Sequence, residues 1–304
     1  MRVTFWGTRG SIPVPGRGTV KYGGNTSCVE IRTDNGGLLI CDSGTGIREL
    51  GLHLMAEARE AHGHLFFSHT HWDHIQGWPF FAPALRRGNE FTLHALAPMN
   101  TSLGQVLANQ MEYTYFPITL EQMDATINFQ ELREGTFSVD GVKVTTHYLN
   151  HTTICLGYRI EADGKTVVYA SDTEPHGLTL DPRPLPPARG RVRVGGPPRE
   201  KPRLVHDQDR LLAEFVDGAD LLILDAQYTD EEYPQRVGWG HATTGYAADI
   251  GVLAGVKRLA LFHHDPTHTD REVDGIVREA RRRAADYGSD IEILGAAERL
   301  TVAL

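Results

Sequence analysis

Short apolar runs closed by glycine or a polar turn dominate the first third of the chain. "RVTFW" (Arg2 to Trp6), "SCVEIRT" (Ser27 to Thr33) and "LLICDSG" (Leu38 to Gly44) read as strands with Gly-rich turns between them. "GIRELGLHLMAEAREA", Gly46 to Ala61, carries helical periodicity, and "LFFS", Leu65 to Ser68, is a short buried strand. From Phe91 to Tyr148 the pattern is mixed, closing with "VDGVKVTTHYL", whose Asp140-Gly141 pair signals a tight turn. "CLGYRIEAD" and "KTVVYASD" then flank Gly164 as a hairpin.

The second half uses the same elements with other spacing. "ADLLILDA" and "VKRLALFHH" are strands, and "TTGYAADIGVLAG" is a helix with Gly255 near its end. "DREVDGIVREARRRAADYG" is an amphipathic helix, acidic early and arginine-rich late, in accord with the helix dipole. Strands and helices in both halves predict an α/β sandwich: two mixed sheets flanked by helices, αββα, as one domain over residues 1–304. One stretch breaks the pattern. Leu178 to His206 is rich in Pro, Arg and Gly, fits neither a helix nor a central strand, and is expected as an insertion: a solvated loop, or an arm that touches substrate or a second subunit.

Composition narrows the classes. A net charge of −9 argues against coating nucleic acid by bulk charge, although six arginines make 178–206 locally basic. No apolar run approaches the roughly 20 residues of a membrane span. The N-terminus alternates like a strand rather than a signal peptide, and three cysteines without a CxxC pair suit reduced thiols; a cytoplasmic, non-membrane protein is expected.

The 15 histidines change the picture most, because several stand beside apolar runs. In "SHTHWDHIQGWPF" the strand Leu65 to Ser68 is followed at once by His69, His71, Asp73 and His74. Imidazole and carboxylate are what zinc takes when no thiolate is offered. Alternate side chains of a loop converge, so His69 and His71 would face one ion, with Asp73 and His74 turned toward a second. Trp72, between ligands, either walls the site or packs.

This HxHxDH run behind a strand resembles the defining motif of the metallo-β-lactamase-fold hydrolases. "GTRGSIP", "GGNTSC", "DSGTGIREL" and "VKRLALFHHDP" are similar to the branch that holds tRNase Z and cyclic phosphodiesterases. The resemblance implies three more ligands: His151 in "NHTTICLGYRI", with His147 as competitor; Asp172 in "VVYASDT" as a bridge; and His263 rather than His264. One site would hold His69, His71 and His151, the other Asp73, His74 and His263. The implied cofactors are two divalent metal ions, Zn²⁺ first, with Mn²⁺ or Fe fitting the same donors.

"GHATTGYAAD" is similar to the HxT motif of tRNase Z-like enzymes, which makes His241 the general acid, with Asp225 placed to orient it although the related pattern often has glutamate there. Asp73 joins these two as a catalytic group. Asn25, Thr26 and Ser27 are candidate substrate contacts, or simply a turn. Asp42 is expected to brace a ligating histidine. The function expected is phosphodiester hydrolysis through a metal-bridging hydroxide, on a cyclic nucleotide or other small phosphodiester. RNA 3′-processing of tRNase Z type, or thioester, lactone or β-lactam hydrolysis, are the alternatives. The resemblance also implies a homodimer.

Overall fold

The computed structural model describes residues 1–57, 59–96, 101–177 and 202–304. In chain order the strands of the first half are β1 (Arg2–Gly7), β2 (Cys28–Arg32), β3 (Leu38–Cys41), β4 (His62–Phe66), β5 (Glu90–Leu96) and β6 (Thr126–Leu132). The second half supplies β7 (Gly135–Val139), β8 (Val142–Leu149), β9 (Cys155–Ala162), β10 (Lys165–Ala170), β11 (Leu221–Asp225), β12 (Arg258–Phe262), β13 (Glu292–Gly295) and β14 (Thr301–Ala303). They form two seven-stranded mixed sheets, β14-β1-β2-β3-β4-β5-β6 and β13-β12-β11-β10-β9-β8-β7.

Both faces of each sheet are apolar, and that is what stacks the layers. Val3, Phe5, Ile31 and Phe66 meet Val144, Tyr158, Tyr169, Ile223 and Phe262 between the sheets. On the outer face of the first sheet, Ile40, Leu65 and Leu93 pack with α1 (Ile47–Ala56) and α3 (Leu103–Gln110). Val168, Leu222, Leu224 and Leu259 pack on the far side with α4 (Asp207–Phe215), α5 (Thr244–Leu253) and α6 (Asp270–Asp286). The expected αββα sandwich is therefore the fold.

The two hairpin turns have the chemistry read from the sequence. Asp140 and Gly141 lie at φ 48° and 80°, and Asp163 and Gly164 at 54° and 68°, the left-handed values of a two-residue turn. Helix α1 ends five residues before its periodicity does. Ala61 is claimed by the sheet, its N–H donating to Asn89 Oδ1 and its carbonyl accepting from Glu90 N, so β4 starts at His62 rather than Leu65. Helix α4, with His206 Nδ1 accepting from Gln208 N at its start, is an addition to the expected elements. Most of the Pro/Arg-rich segment, 178–201, lies outside the described residues.

What matters for function is direction. β3 and β4 run parallel, as do β10, β11 and β12, and β8 runs with β10 across β9. Asp42, the HxHxDH loop, His151, Asp172, Asp225 and His263 all follow or end such strands, so topology collects them at one rim of the sandwich.

Candidate metal centre

The cluster begins where β4 ends. His69 leaves the strand, His71 precedes the single-turn helix α2 (Trp72–Ile75), and Asp73 and His74 sit within that turn. Asp42, in the left-handed conformation at φ 59°, accepts at Oδ1 from Ser68 N (2.7 Å) and at Oδ2 from Ser68 Oγ (2.8 Å), His74 Nδ1 (2.8 Å) and Tyr169 Oη (2.6 Å). One buried carboxylate thereby fixes the whole loop, the bracing role expected of Asp42.

A common logic sets the tautomers. His74 Nδ1–H donates to Asp42, His263 Nδ1–H to Gln227 Oε1 (2.9 Å), and His151 Nδ1–H to Gly240 O (2.8 Å). Ser68 Oγ, its own proton spent on Asp42, accepts from His69 Nδ1–H at 3.0 Å. In each ring Nε2 is then left with a lone pair that faces the other rings.

Those nitrogens converge on Asp172. His74 Nε2 and His263 Nε2 lie 3.3 and 3.4 Å from Asp172 Oδ1, while His69 Nε2 and His151 Nε2 both lie 3.8 Å from Oδ2. Asp73 Oδ2 is 3.1 Å from His263 Nε2, 3.3 Å from His74 Nε2, and accepts from Ser11 N at 2.7 Å. His151 Nε2 and His71 Nδ1 stand 3.1 Å apart. Donor atoms of His69, His71 and His151 lie within 4.8 Å of one another, as do those of Asp73, His74 and His263, and of His69, His74 and Asp172. All seven expected ligands are brought together.

The residues fit divalent cations. His69 Nε2, His74 Nε2 and Asp172 Oδ1 are buried without a hydrogen-bond partner, an expensive arrangement unless something fills it. Spacings of 3.1–3.4 Å around Asp73, His74, His263 and Asp172 Oδ1 match the edge, about 3.3 Å, of a tetrahedron with roughly 2 Å metal–ligand bonds. Charge says the same. Burial opposes the imidazolium of His74, yet Asp172, Asp73 and Asp42 outweigh it and hold that ring well above its ordinary value. Burial and the surrounding histidines instead keep His69 low, and burial takes His151 down to about 4, the neutral forms that ligate.

The competing histidines are separated by geometry. His147 turns away to Glu134 (2.8 Å) and packs on Phe215. His264 buries its ring on the far side, Nε2–H donating to Ala296 O at 2.9 Å. His241 stands beside the cluster, its ring stacked on His263 at 4.9 Å and its Nδ1–H donating to Asp225 Oδ2 at 2.8 Å. Asp225 is in turn held by Thr173 N and Gln227 N. Burial works against the His241 imidazolium, but the Asp225 carboxylate outweighs it and lifts the ring to about 9.

The neutral donors need a correction. Thr26 and Ser27 are fully buried, and Thr26 Oγ1 accepts from Thr45 N, so this pair braces the loop next to α1 instead of reaching a substrate; Asn25 alone stays half-exposed. Trp72 is 77% exposed, so it does not pack. Two residues with a part in the site went unread: Ser68, in front of the motif, and Gln227, two positions after Asp225. Their only sequence signal is adjacency to a ligand or its partner.

Comparison with known proteins agrees with this geometry. Residues 39–181 match the family model described as a beta-lactamase superfamily domain. A metallo-β-lactamase-fold protein from Bacillus subtilis superposes with TM-score 0.66 over 99% of this chain and 98% of its own, at 16% identity. The chain is a metallo-β-lactamase-fold metallohydrolase. Within that fold this metallohydrolase is similar to proteins of the tRNase Z-like branch. It is 25% identical to a ribonuclease Z of Lactococcus lactis subsp. lactis, covering 92% of this chain and 94% of that one. Human tRNase Z, short form, superposes with TM-score 0.63 over 100% of this chain and 99% of its own, at 19% identity. The fold implies divalent metal ions. Among the described residues no helix is long and apolar enough to cross a membrane.

Proposed function

We propose that the protein is a dinuclear metal phosphodiesterase that cleaves RNA in the manner of a ribonuclease Z. The observation that carries the reading is the pairing of a seven-residue ligand cluster with a buried His241–Asp225 couple beside it. The relatives named ribonuclease Z, alike over nine-tenths of the chain, make RNA the first substrate to consider and move it ahead of a cyclic nucleotide.

His69, His71 and His151 would hold one ion, and Asp73, His74 and His263 the other, with Asp172 between them. When bound, two divalent ions supply Lewis acidity toward a phosphoryl oxygen and lower the pKa of water, which suits a phosphodiester; Zn²⁺ suits these donors best. The chain's own residues do the rest. Asp225 fixes the His241 ring and its charge, so Nε2–H is held ready to protonate the departing oxygen. Asp42, Ser68, Gln227 and Gly240 O hold the ligand rings in orientation. Trp72, adjoining His71 and Asp73, and Trp239, two residues before His241 and covered by the Arg236 guanidinium at 4.7 Å, are exposed aromatic faces of the kind on which single-stranded bases stack. Such stacking gives an acidic protein a way to bind RNA that bulk charge does not.

A small phosphodiester is the second reading. A cleft of about 650 Å³ adjoins His69 and His151, lined by Thr70, Thr152, Thr153, Tyr148 and Ile154, and its size suits a single nucleotide.

Purified protein loaded with Zn²⁺ or Mn²⁺ should hydrolyse bis(p-nitrophenyl) phosphate and cut a pre-tRNA with kcat/KM well above that for cyclic nucleotides. A reversed ratio selects the small substrate. Turnover of nitrocefin with every phosphodiester untouched at full metal loading ends the reading.

A further inference from the structure

Glu174 stands two residues past Asp172, buried, with no Lys or Arg salt bridge among the described residues. Its carboxylate is satisfied by three donors instead. Oε1 accepts from Tyr233 Oη (2.8 Å) and Gly238 N (2.6 Å), and Oε2 accepts from Gly240 N (2.9 Å). Its backbone exchanges two further bonds with Asn150, the residue before His151: Glu174 N donates to Asn150 O at 2.7 Å, and Asn150 Nδ2 to Glu174 O at 2.9 Å.

Three loops therefore meet at one side chain: that of His151, that of Asp172 and the turn 236–240 that runs into His241. The turn is conformationally demanding, with Gly238 and Gly240 at φ 84° and 85°, where a side chain would be strained. It also presses on the site. A Cβ at position 240 would lie 2.3 Å from His151 Nδ1, and the Gly240 carbonyl is the acceptor that orients that ring. A buried carboxylate costs several kcal/mol unless its lone pairs are met, and here two of the three donors are the backbone amides that define the turn. Nothing in the ligand set requires this arrangement; it serves the placement of what the turn carries.

We infer that Glu174 is a positioning residue for phosphodiester cleavage: it latches the 236–240 turn onto the loop of Asp172 and so sets His241 at the leaving-group side. The inference rests on the phosphodiesterase reading above. Aryl esters such as bis(p-nitrophenyl) phosphate leave without help from an acid, whereas a ribose oxygen needs a proton, so the two substrates separate positioning of His241 from general damage.

In Glu174→Ala, kcat on an RNA diester should fall about 100-fold with both metals retained, and kcat on bis(p-nitrophenyl) phosphate by no more than about 3-fold. In a His241→Ala background the same change should cost almost nothing further, since residues that act as a unit are not additive. A second readout needs no turnover: amide hydrogen exchange of the 236–243 segment in the metal-free protein should accelerate at least about tenfold. Should Glu174→Ala not fold, Tyr233→Phe, which removes one donor, and Glu174→Gln, which leaves one acceptor oxygen for two amides, should show the same substrate split at smaller size. Equal losses on the two substrates, multiplicative losses with His241→Ala, or unchanged exchange would each overturn the inference. A wild type inert toward every phosphodiester would instead sink the functional reading, and the exchange experiment would still decide whether Glu174 holds the turn.

Discussion

Two buried carboxylate–imidazole pairs stand on either side of the cluster, and they look alike. Asp42–His74 and Asp225–His241 are both 2.8 Å contacts to Nδ1, and both carboxylates sit at the carboxyl end of a strand, β3 or β11. They differ in what the second nitrogen meets. His74 Nε2 is sealed between Asp73 and Asp172 with no hydrogen-bond donor available to it, a place for a cation. His241 keeps a tenth of its side chain open to solvent, at the rim where a substrate would arrive. The same pair of side chains thus makes a metal ligand in one setting and a proton donor in the other. Surroundings decide the role, not the pair.

The sharpest way to break that comparison is at His241. Donor atoms of His151, Asp172 and His241, and of Asp225, His241 and His263, are themselves close enough to hold an ion, so distance alone does not settle the role of this ring. As a proton donor, His241→Ala should keep both metals and lose about 10²–10⁴ in turnover of RNA. Asp225→Asn, which leaves the ring in place with a neutral partner, should cost less, on the order of tenfold to a hundredfold. Metal content by mass spectrometry beside kcat checks both; loss of one equivalent of metal in His241→Ala would turn the second pair into another copy of the first.

At the other pair the readout exchanges places. Asp42→Asn puts an amide where four donors now point, from Ser68, His74 and Tyr169. Metal affinity should fall about 10- to 100-fold, with activity recovered by excess metal, and chelator competition would measure it. The protein should also lose a few kcal/mol of stability, roughly 3, since a buried network is broken. Unchanged affinity would mean that His74 needs no orienting partner.

Much of this was open to reading along the chain, and the reasons are local. Asp140-Gly141 and Asp163-Gly164 encode their turns in two residues each, and the HxHxDH loop holds four of the seven converging side chains within six positions. The rest depends on tertiary approach. Alternation along β12 puts Leu261 against the helices and Phe262 between the sheets, which says nothing of His263, because the strand stops there and the residue turns left-handed at φ 58°. Resemblance separated His263 from His264; periodicity does not. Strands β13 and β14, four and three residues long, are too short to show a period. Ser68, Gln227 and Glu174 carry no motif, and acquire roles only when loops far apart in sequence meet. Thr26 and Ser27 were the reverse case, polar residues in a suggestive turn that the fold spends on α1.

A third imidazole shows what happens when no carboxylate is supplied. His94 is buried on β5, stacked on Phe66 at 4.7 Å, with its Nε2 3.0 Å from His64 Nδ1 and its Nδ1 without a partner. The acid in reach, Asp140, binds His64 instead. Burial, with the neighbouring His64 adding to it, takes His94 down to about 4, against an ordinary 6.5. Its fold is thus built around a neutral ring. Above about pH 6.5 the ring is neutral folded or unfolded and pH changes nothing; between 6.5 and 4 the unfolded chain takes up the proton that the native state refuses, so stability falls with pH. The full effect is bounded at roughly 3 kcal/mol, and partial exposure on opening makes about 1–2 the realistic share. His94→Leu should therefore flatten the decline in unfolding free energy between pH 6.5 and 5, measured by urea titration, while leaving metal content and turnover as they were. A decline of the same slope in the variant would assign that pH dependence to the carboxylates and leave His94 a packing residue.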